Sequence, residues 1–409
     1  MNFESIREEF PALRERTFLD AACVSIAPRS AVAAIEAFLQ RALTCPEESA
    51  TLNHIAMDEQ RAAARPLAAR LIGAREDEIA LVESTSHGLA IAAQAVPLGP
   101  GDQVLVGAPE FMEVAIPWCQ LSERVGIELV VVPHRHGRLL VEDFAARMTG
   151  RTRLVVISSV QWSHGFRIDM KALSAACRDR GVWLVVDAIQ QLGAVAFDVQ
   201  ATPVDLLACG GHKWLNAPFG CGFLYIRRER MGELRPPVAG YLAVETPEGG
   251  WGNYFQTPSI QPVRNYRYVD SARRYEAGGT ANYPGAVGLA ASLRIVLELG
   301  QERIAERVWA LGETLMAGLD RQGVAVSTPR ERAERAGIVT FSLATPERNA
   351  AVVEHLLARR VLVSLRYTAG IGGVRVACHF FNNEADIGRL LDAVGKFQRG
   401  TTGRGSHRE

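Results

Sequence analysis

The sequence lacks the features of a secreted, membrane-embedded or nucleic-acid-binding protein. No apolar run is long enough to cross a bilayer, and the N-terminus "MNFESIREEF" is too acidic and too interrupted for a signal peptide. The 45 basic and 45 acidic side chains balance, and no basic run is interleaved with aromatic residues. These absences argue against nucleic acid and membrane partners and predict a cytoplasmic protein.

Paired cysteines and internal repeats are also absent. The seven cysteines are scattered without a CxxC motif, at positions 23, 45, 119, 177, 209, 221 and 378. An odd, dispersed set indicates buried thiols in a reducing compartment rather than a disulfide framework. The length of 409 residues predicts two domains, or one large domain with a smaller attachment.

Alternating strands and helices occupy the first half of the chain. Short apolar runs predict strands at 78–84, 102–108, 128–134, 153–160, 182–188, 205–211 and 222–228. Helical periodicity is found at 30–43, 57–72, 86–97, 112–126, 141–149 and 170–180. Nearly continuous apolar strands separated by helices predict an α/β fold, with a mostly parallel seven-stranded sheet covered on both faces.

The second half of the chain has a different organisation. From about 229 to 284 the alternation gives way to an irregular stretch rich in Gly, Pro, Arg and aromatic residues, which favours a functional region over disorder. Helices are then predicted at 285–325, 348–359 and 384–398, with strands at 337–343 and on both sides of a glycine-rich loop before residue 380. The predicted units are an N-terminal segment near the small domain (1–17), a large domain (18–284), a small C-terminal α+β domain (285–398) and a flexible tail (399–409).

An acid and a lysine are predicted to meet at one edge of the sheet. Asp187 ends the apolar strand "VWLVVD", and Lys213 follows the next strand within "ACGGHKWLNAPFG", which has no other charged side chain apart from the adjoining histidine. Asp187 alone would be interpreted as a helix cap, but a buried lysine needs a partner. Pyridoxal phosphate uses a lysine for its aldehyde and an acid for its ring nitrogen, so the two residues together favour this cofactor.

Two further stretches suit the phosphate and the ring of such a cofactor. Thr85 and Ser86 in "ESTSHGL" open a helix after a strand, where hydroxyl and N–H groups bind an anion or simply cap the helix. Phe111 follows the next strand and is placed to stack on a flat ring, although a core position is the commoner explanation for a phenylalanine.

Taken together, the motifs resemble one enzyme family. "STSHG", "PEFMEVAIPW", "VVDAIQ", "GGHKW", "EAGGTAN" and "VRVACHF" occur in the order and spacing of fold-type I pyridoxal-phosphate enzymes of the class V aminotransferase superfamily. That group includes cysteine desulfurases, isopenicillin N epimerase-like proteins, kynureninase and carbon–sulfur lyases. The resemblance extends from residues 18–28 to residues 373–387, and it implies a homodimer with shared active sites.

The resemblance implies a role for each matching residue. Lys213 would form the Schiff base with pyridoxal phosphate, Asp187 would pair with the ring nitrogen, and Gln190 would hydrogen-bond the phenolic oxygen. The implied contacts to the phosphate and the ring face come from Thr85, Ser86, Phe111 and His212, and from Thr280 of the neighbouring subunit. Arg375 would bind the α-carboxylate of an amino-acid substrate. Further substrate contacts are expected from Ala22, Cys23, Ser163, Asn253 and Arg366.

Three departures from the family pattern shape the expected reaction. The segment 363–375 has no cysteine where desulfurases carry their nucleophile, so a desulfurase is disfavoured, and Cys378 is interpreted as a structural thiol. Trp162 stands near the usual asparagine, and Gly210 stands where a hydroxyl residue often contacts the phosphate. These two replacements suggest a reshaped site and weaker retention of the cofactor.

The leading hypothesis is a carbon–sulfur lyase acting on a modified or S-conjugated cysteine, in specialised metabolism. Lys213 would remove the α proton, and β-elimination would follow. An aminotransferase, an epimerase and a decarboxylating or oxidative deaminase share the same parts and stay open. A non-catalytic binding protein is a further alternative, against which the set Asp187, Gln190 and Lys213 argues.

Overall fold

The computed structural model describes residues 2–402 of the chain. Its strands are β1 (Thr17–Phe18), β2 (Ile79–Val82), β3 (Gln103–Gly107), β4 (Glu128–Val132), β5 (Thr152–Ser158), β6 (Trp183–Asp187), β7 (Leu206–Gly210), β8 (Gly222–Ile226), β9 (Ala325–Val326), β10 (Ile338–Ser342), β11 (Val361–Leu362), β12 (Ser364–Thr368) and β13 (Ile371–Ala377). Its α-helices are α1 (Phe3–Arg7), α2 (Arg29–Thr44), α3 (Ala50–Ala62), α4 (Ala64–Ile72), α5 (Thr85–Ala95), α6 (Met112–Val125), α7 (Val141–Arg147), α8 (Met170–Arg178), α9 (Gly250–Tyr254), α10 (Tyr283–Leu299), α11 (Gln301–Arg321), α12 (Pro346–Leu357) and α13 (Glu384–Thr402).

The large sheet has seven strands in the spatial order β2-β8-β7-β6-β5-β3-β4. The five strands β7, β6, β5, β3 and β4 are parallel to one another. Strand β8 runs antiparallel to both of its neighbours, β2 and β7. Val104 packs into a cluster on one face of the sheet and Leu105 into a cluster on the other, so both faces are buried. The predicted mostly parallel, seven-stranded sheet is therefore confirmed, including each of its seven strands.

Two predicted helices are each divided in the structure. The predicted helix at 57–72 consists of α3 and α4, because Pro66 has no N–H to donate to the carbonyl of Ala62. The predicted helix at 285–325 consists of α10 and α11, which are separated by Gly300. Gly300 has a φ of 84°, a left-handed value that glycine adopts at little cost.

A smaller antiparallel sheet lies in the C-terminal part, in the order β12-β13-β10-β9. The N-terminal segment contacts this part, since β1 pairs in parallel with β11 and Arg7 donates to Asp386 at 2.8 Å. Helix α13 ends at Thr402, four residues beyond the predicted end at 398. The rest of the predicted tail lies outside the described residues.

The cysteines only partly match their prediction. All seven are free thiols, and Cys177, Cys209, Cys221 and Cys378 are buried as expected. Cys45, which follows the end of α2, and Cys119, which lies within α6, are exposed, and Cys23 is half-buried. Across residues 2–402, no helix combines the length and apolar character that a membrane span requires.

Candidate active site

Asp187 and Lys213 lie where β6 and β7 end, near enough for the charge of each to influence the pKa of the other. Asp187 is the last residue of β6 and is almost completely buried, and Oδ1 of its carboxylate accepts a hydrogen bond from the Ile189 N–H at 2.9 Å. Burial raises the pKa of Asp187 to about 6, and the nearby Lys213 limits that rise. Burial also lowers the pKa of Lys213 to about 8, against the opposing effect of Asp187. The crevice thus holds an amine that loses its proton near neutral pH beside a weak acid.

Helix α5 begins beside the end of β7, and hydroxyl and N–H groups lie at the corner between them. The Ser84 hydroxyl accepts from the His87 N–H at 3.1 Å and caps the helix, so neither Thr85 nor Ser86 is the cap. The Thr85 hydroxyl instead accepts from the Gly210 N–H at 2.8 Å. The hydroxyl groups and the N–H groups of the first turn suit a phosphate.

Gly210 lies at this close approach, where a larger residue would require its neighbours to shift by a few tenths of an ångström. A Cβ at this position would lie 3.1 Å from Thr85 Oγ1 and 3.2 Å from His212 Nδ1. Both distances are shorter than ordinary packing contacts. The end of β7, the start of α5 and His212 are therefore close together around Gly210, which has no side chain. The His212 ring stacks on Phe219, and burial lowers the pKa of His212 to about 4, which keeps its ring neutral.

Gln190 is held in place from both ends of its amide. Its Nε2 donates to the Ala22 carbonyl at 3.0 Å, and its Oε1 accepts from the Trp214 indole at 2.8 Å. One N–H of the amide remains for a further acceptor. Ala22 is fully buried and takes part through its backbone.

Arg375 lies in β13 at the other side of the crevice and is 2% exposed. Its guanidinium donates to the Trp162 carbonyl at 3.0 Å and to Asp20 at 3.2 Å. In the described part of the chain, the buried Arg375 Nε has no acceptor. Asp20 was missed in the sequence, although an acid directly after the apolar residues "FL" repeats the pattern that drew attention to Asp187.

Cys23 and Arg366, two predicted substrate contacts, lie next to each other. Arg366 Nη2 donates to the Cys23 thiol at 3.4 Å, and Nη1 of the same side chain donates to the Leu365 carbonyl. The two residues are 343 positions apart in sequence. The N-terminal loop and β12 therefore form one wall beside Arg375.

Three other predicted substrate or cofactor residues are not joined to the crevice. Ser163 is fully buried, its hydroxyl contacts the His164 ring at 3.1 Å, and its carbonyl accepts from Thr340 of β10. Asn253 and Thr280 are both exposed, and the Asn253 amide donates to the Gly249 carbonyl. Among the residues described, no hydrogen bond connects any of the three to Lys213 or Arg375, so their predicted roles stay predictions.

The predicted ring-stacking residue is half-exposed rather than part of the core. Phe111 is 37% exposed, and the Lys213 amine lies 5.8 Å from the centre of its ring. The Trp162 ring meets Phe111 edge to face, with 5.2 Å between ring centres. The core interpretation of Phe111 is therefore wrong, and Trp162, near the position usual for asparagine, forms an aromatic pair with it.

Glu110, directly before Phe111, was also missed in the sequence. Its buried carboxylate accepts from the Ser158 N–H at 3.0 Å, from the Ser158 hydroxyl and from the Gln161 amide at 2.8 Å. Burial raises the pKa of Glu110 to about 7, despite these hydrogen bonds. The pattern of an acid following an apolar strand, used for Asp187, would have found it.

Comparison with known proteins identifies the family. The family profile described as aminotransferase class-V matches residues 17–390. The chain belongs to this family. The match covers nearly all of the chain, so the chain is a pyridoxal-phosphate-dependent enzyme, and the predicted family and cofactor are confirmed.

Relatives at the level of sequence are cysteine desulfurases. A probable cysteine desulfurase of Pyrococcus abyssi is 26% identical over 406 residues, which cover 96% of this chain and 96% of that protein. A probable cysteine desulfurase of Methanothermobacter thermautotrophicus is 30% identical over 323 residues, covering 78% of this chain and 76% of the relative.

Solved structures share the fold over almost their whole length. The apo cysteine desulfurase of Thermococcus onnurineus NA1 superposes with a TM-score of 0.85 at 25% identity, covering 97% of this chain and 98% of that chain. The cystine C–S lyase C-DES, in complex with cysteine persulfide, has a TM-score of 0.85 at 24% identity, covering 95% of this chain and 99% of that chain. At this identity, the second similarity shows the fold alone.

The residues in the crevice fit the cofactor. Lys213 offers an amine of lowered pKa, and Asp187 offers an acid of raised pKa for the ring nitrogen. The first turn of α5, with Thr85, offers an anion site, and the exposed ring of Phe111 offers a flat surface. These side chains supply the four kinds of contact that pyridoxal phosphate needs.

Proposed function

We propose that the protein is a carbon–sulfur lyase that carries out β-elimination on a modified or S-conjugated cysteine. The observation that carries this proposal is the tight hairpin between β12 and β13. Thr368 pairs with Ile371, and only Ala369 and Gly370, both with positive φ, form the turn. Desulfurases carry their nucleophilic cysteine on a mobile loop in this segment, whereas here a short hairpin without cysteine takes its place.

The neighbours support chemistry at a carbon–sulfur bond. The sequence relatives are named as cysteine desulfurases, and one structural neighbour is a cystine C–S lyase. Both activities act on the sulfur of a cysteine-type substrate. The hairpin favours elimination, because elimination releases the sulfur group without requiring an enzyme nucleophile.

Each of the principal residues has a defined part in this proposal. Arg375 binds the α-carboxylate, and Asp20 and the Trp162 carbonyl hold its guanidinium in place. Lys213 takes the proton from Cα, since burial lowers the pKa of its amine to about 8 and so leaves part of the amine unprotonated near neutral pH. Asp187 holds a proton at the ring nitrogen of the cofactor. Pyridoxal phosphate, when bound, supplies the electron sink for the charge that develops at Cα.

Product analysis tests the proposed reaction. We expect S-substituted cysteines to release pyruvate, ammonia and the free thiol in equal amounts, because elimination of the thiol leaves 2-aminoacrylate, and water hydrolyses the imine form of this product to pyruvate and ammonia. Alanine with enzyme-bound sulfur would identify a desulfurase instead. Transfer of the amino group to a keto acid would identify an aminotransferase, inversion at Cα an epimerase, and release of carbon dioxide a decarboxylating enzyme.

We further propose that the enzyme is a cytoplasmic homodimer in which Thr280 of one subunit approaches the cofactor phosphate of the other. The exposed position of Thr280 supports this, as do four exposed aromatic side chains between residues 241 and 268, namely Tyr241, Phe255, Tyr266 and Tyr268. Equilibrium sedimentation should give twice the chain mass of 44.5 kDa. A monomer at micromolar concentration would contradict the shared site.

A further inference from the structure

The aromatic pair beside Lys213 is carried by two separate loops. Phe111 follows β3 and directly precedes α6, whereas Trp162 lies in the turn after β5. The rings meet edge to face, with 5.2 Å between their centres and 69° between their planes. Because Phe111 is 37% exposed, packing around it does not by itself hold the ring over the cofactor site.

One buried side chain joins both loops. Glu110 directly precedes Phe111, and Gln161 directly precedes Trp162. The Glu110 carboxylate accepts from the Gln161 amide at 2.8 Å and from the N–H and hydroxyl of Ser158, the last residue of β5. All three residues are at least nine-tenths buried, so water does not compete for these hydrogen bonds.

We propose that Glu110 is a positioning residue that fixes the Phe111–Trp162 pair against the ring face of pyridoxal phosphate. The proposal rests on the stacking role of Phe111 but not on which reaction follows. Trp162 makes the arrangement particular to this chain, because a tryptophan stands near the position usual for asparagine. The carboxylate acts on the cofactor only through the two rings.

Glu110→Gln is a suitable variant because the structure can accommodate it. With its oxygen in the place of Glu110 Oε1, the new amide would still accept from the Ser158 N–H and from the Gln161 amide. Its NH2 group, in the place of Oε2, would donate to the Ser158 hydroxyl oxygen, so the variant keeps its hydrogen bonds. At pH 8, above the pKa of about 7 of Glu110, the variant lacks the charged acceptor of the wild type, and hydrogen bonds between neutral groups hold the loops less firmly.

The experiment measures the dissociation constant of pyridoxal phosphate by absorbance titration, with no substrate present. We expect Glu110→Gln to weaken cofactor binding about three- to tenfold, the range expected from losing one well-placed aromatic contact. The matched control is Glu78→Gln, because Glu78 is equally buried and also accepts from backbone N–H groups, those of Arg75 and Arg228. This control should leave cofactor binding unchanged.

A double-mutant cycle separates positioning from a general structural role. In a background that carries both Phe111→Leu and Trp162→Leu, Glu110→Gln should cause no further loss of cofactor affinity, because both rings through which it acts are already gone. An equal loss in both backgrounds would overturn the proposal, as would an unchanged affinity in the single variant. Since only cofactor binding is measured, a failure of the proposed lyase reaction would leave this result untouched.

Discussion

Replacing Lys213 with alanine is expected to remove the visible absorption of the bound cofactor and to lower kcat at least about 10³-fold. The amine of Lys213 is the group that bonds to the cofactor aldehyde and that moves the proton at Cα. Its lowered pKa of about 8 makes it suitable for both tasks near neutral pH. Absorbance spectra and single-substrate turnover measure the two effects on the same sample.

The control for this variant is Lys171→Ala, since the chain has only three lysines, at positions 171, 213 and 396. Lys171 is exposed on α8, so its removal should change neither the spectrum nor the turnover. Retention of more than a tenth of the wild-type kcat by Lys213→Ala would show that another group carries out the proton transfer.

Replacing Glu276 with alanine is expected to lower the free energy of unfolding by about 3–5 kcal/mol, because two buried arginines lose their shared partner. Glu276 accepts from Arg61 and Arg65, both at 2.6 Å, and from the Leu81 N–H. Burial alone would raise the pKa of Glu276, but Arg65 and Arg61 outweigh it, and the pKa is lowered. Urea denaturation of the holoenzyme measures the loss.

The exposed ion pair between Glu8 and Arg14 provides the matched control. Both side chains are more than half exposed to solvent, so Glu8→Ala should leave the free energy of unfolding nearly unchanged. A loss below about 1 kcal/mol for Glu276→Ala would mean that Asp58, 3.6 Å from Arg61, compensates for the missing carboxylate. Glu276 opens the segment that leads to Thr280, so the variant is also expected to loosen the proposed dimer contact.

The sequence predicts the sheet and the Asp187–Lys213 pair because both follow from local pattern. Apolar strands alternate with helices, and parallel strands place their carboxyl ends at one edge. Asp187 ends β6 and Lys213 lies three residues beyond β7, so the sheet topology alone brings them together. The same rule would have found Glu110 after β3, had every acid at a strand end been considered.

Other parts of the site depend on tertiary contacts that no local pattern contains. Cys23 meets Arg366, and Asp20 meets Arg375, across most of the length of the chain. Ser163 follows β5 at the same edge of the sheet as Asp187. It is nevertheless buried against the small domain, where Thr340 donates a hydrogen bond to its carbonyl. The domain that packs against a turn decides which of its side chains face the crevice. A local sequence pattern does not specify which domain packs there.

The most direct test of the central claim is to locate the cofactor on the chain. Treating the purified holoenzyme with borohydride makes the lysine–cofactor bond permanent, and peptide mass spectrometry then identifies the modified residue. We predict that the modification lies on Lys213 alone, with Lys171 and Lys396 unmodified. Modification of either of the other two lysines, or of none, would contradict the assignment of Lys213 as the residue that carries pyridoxal phosphate.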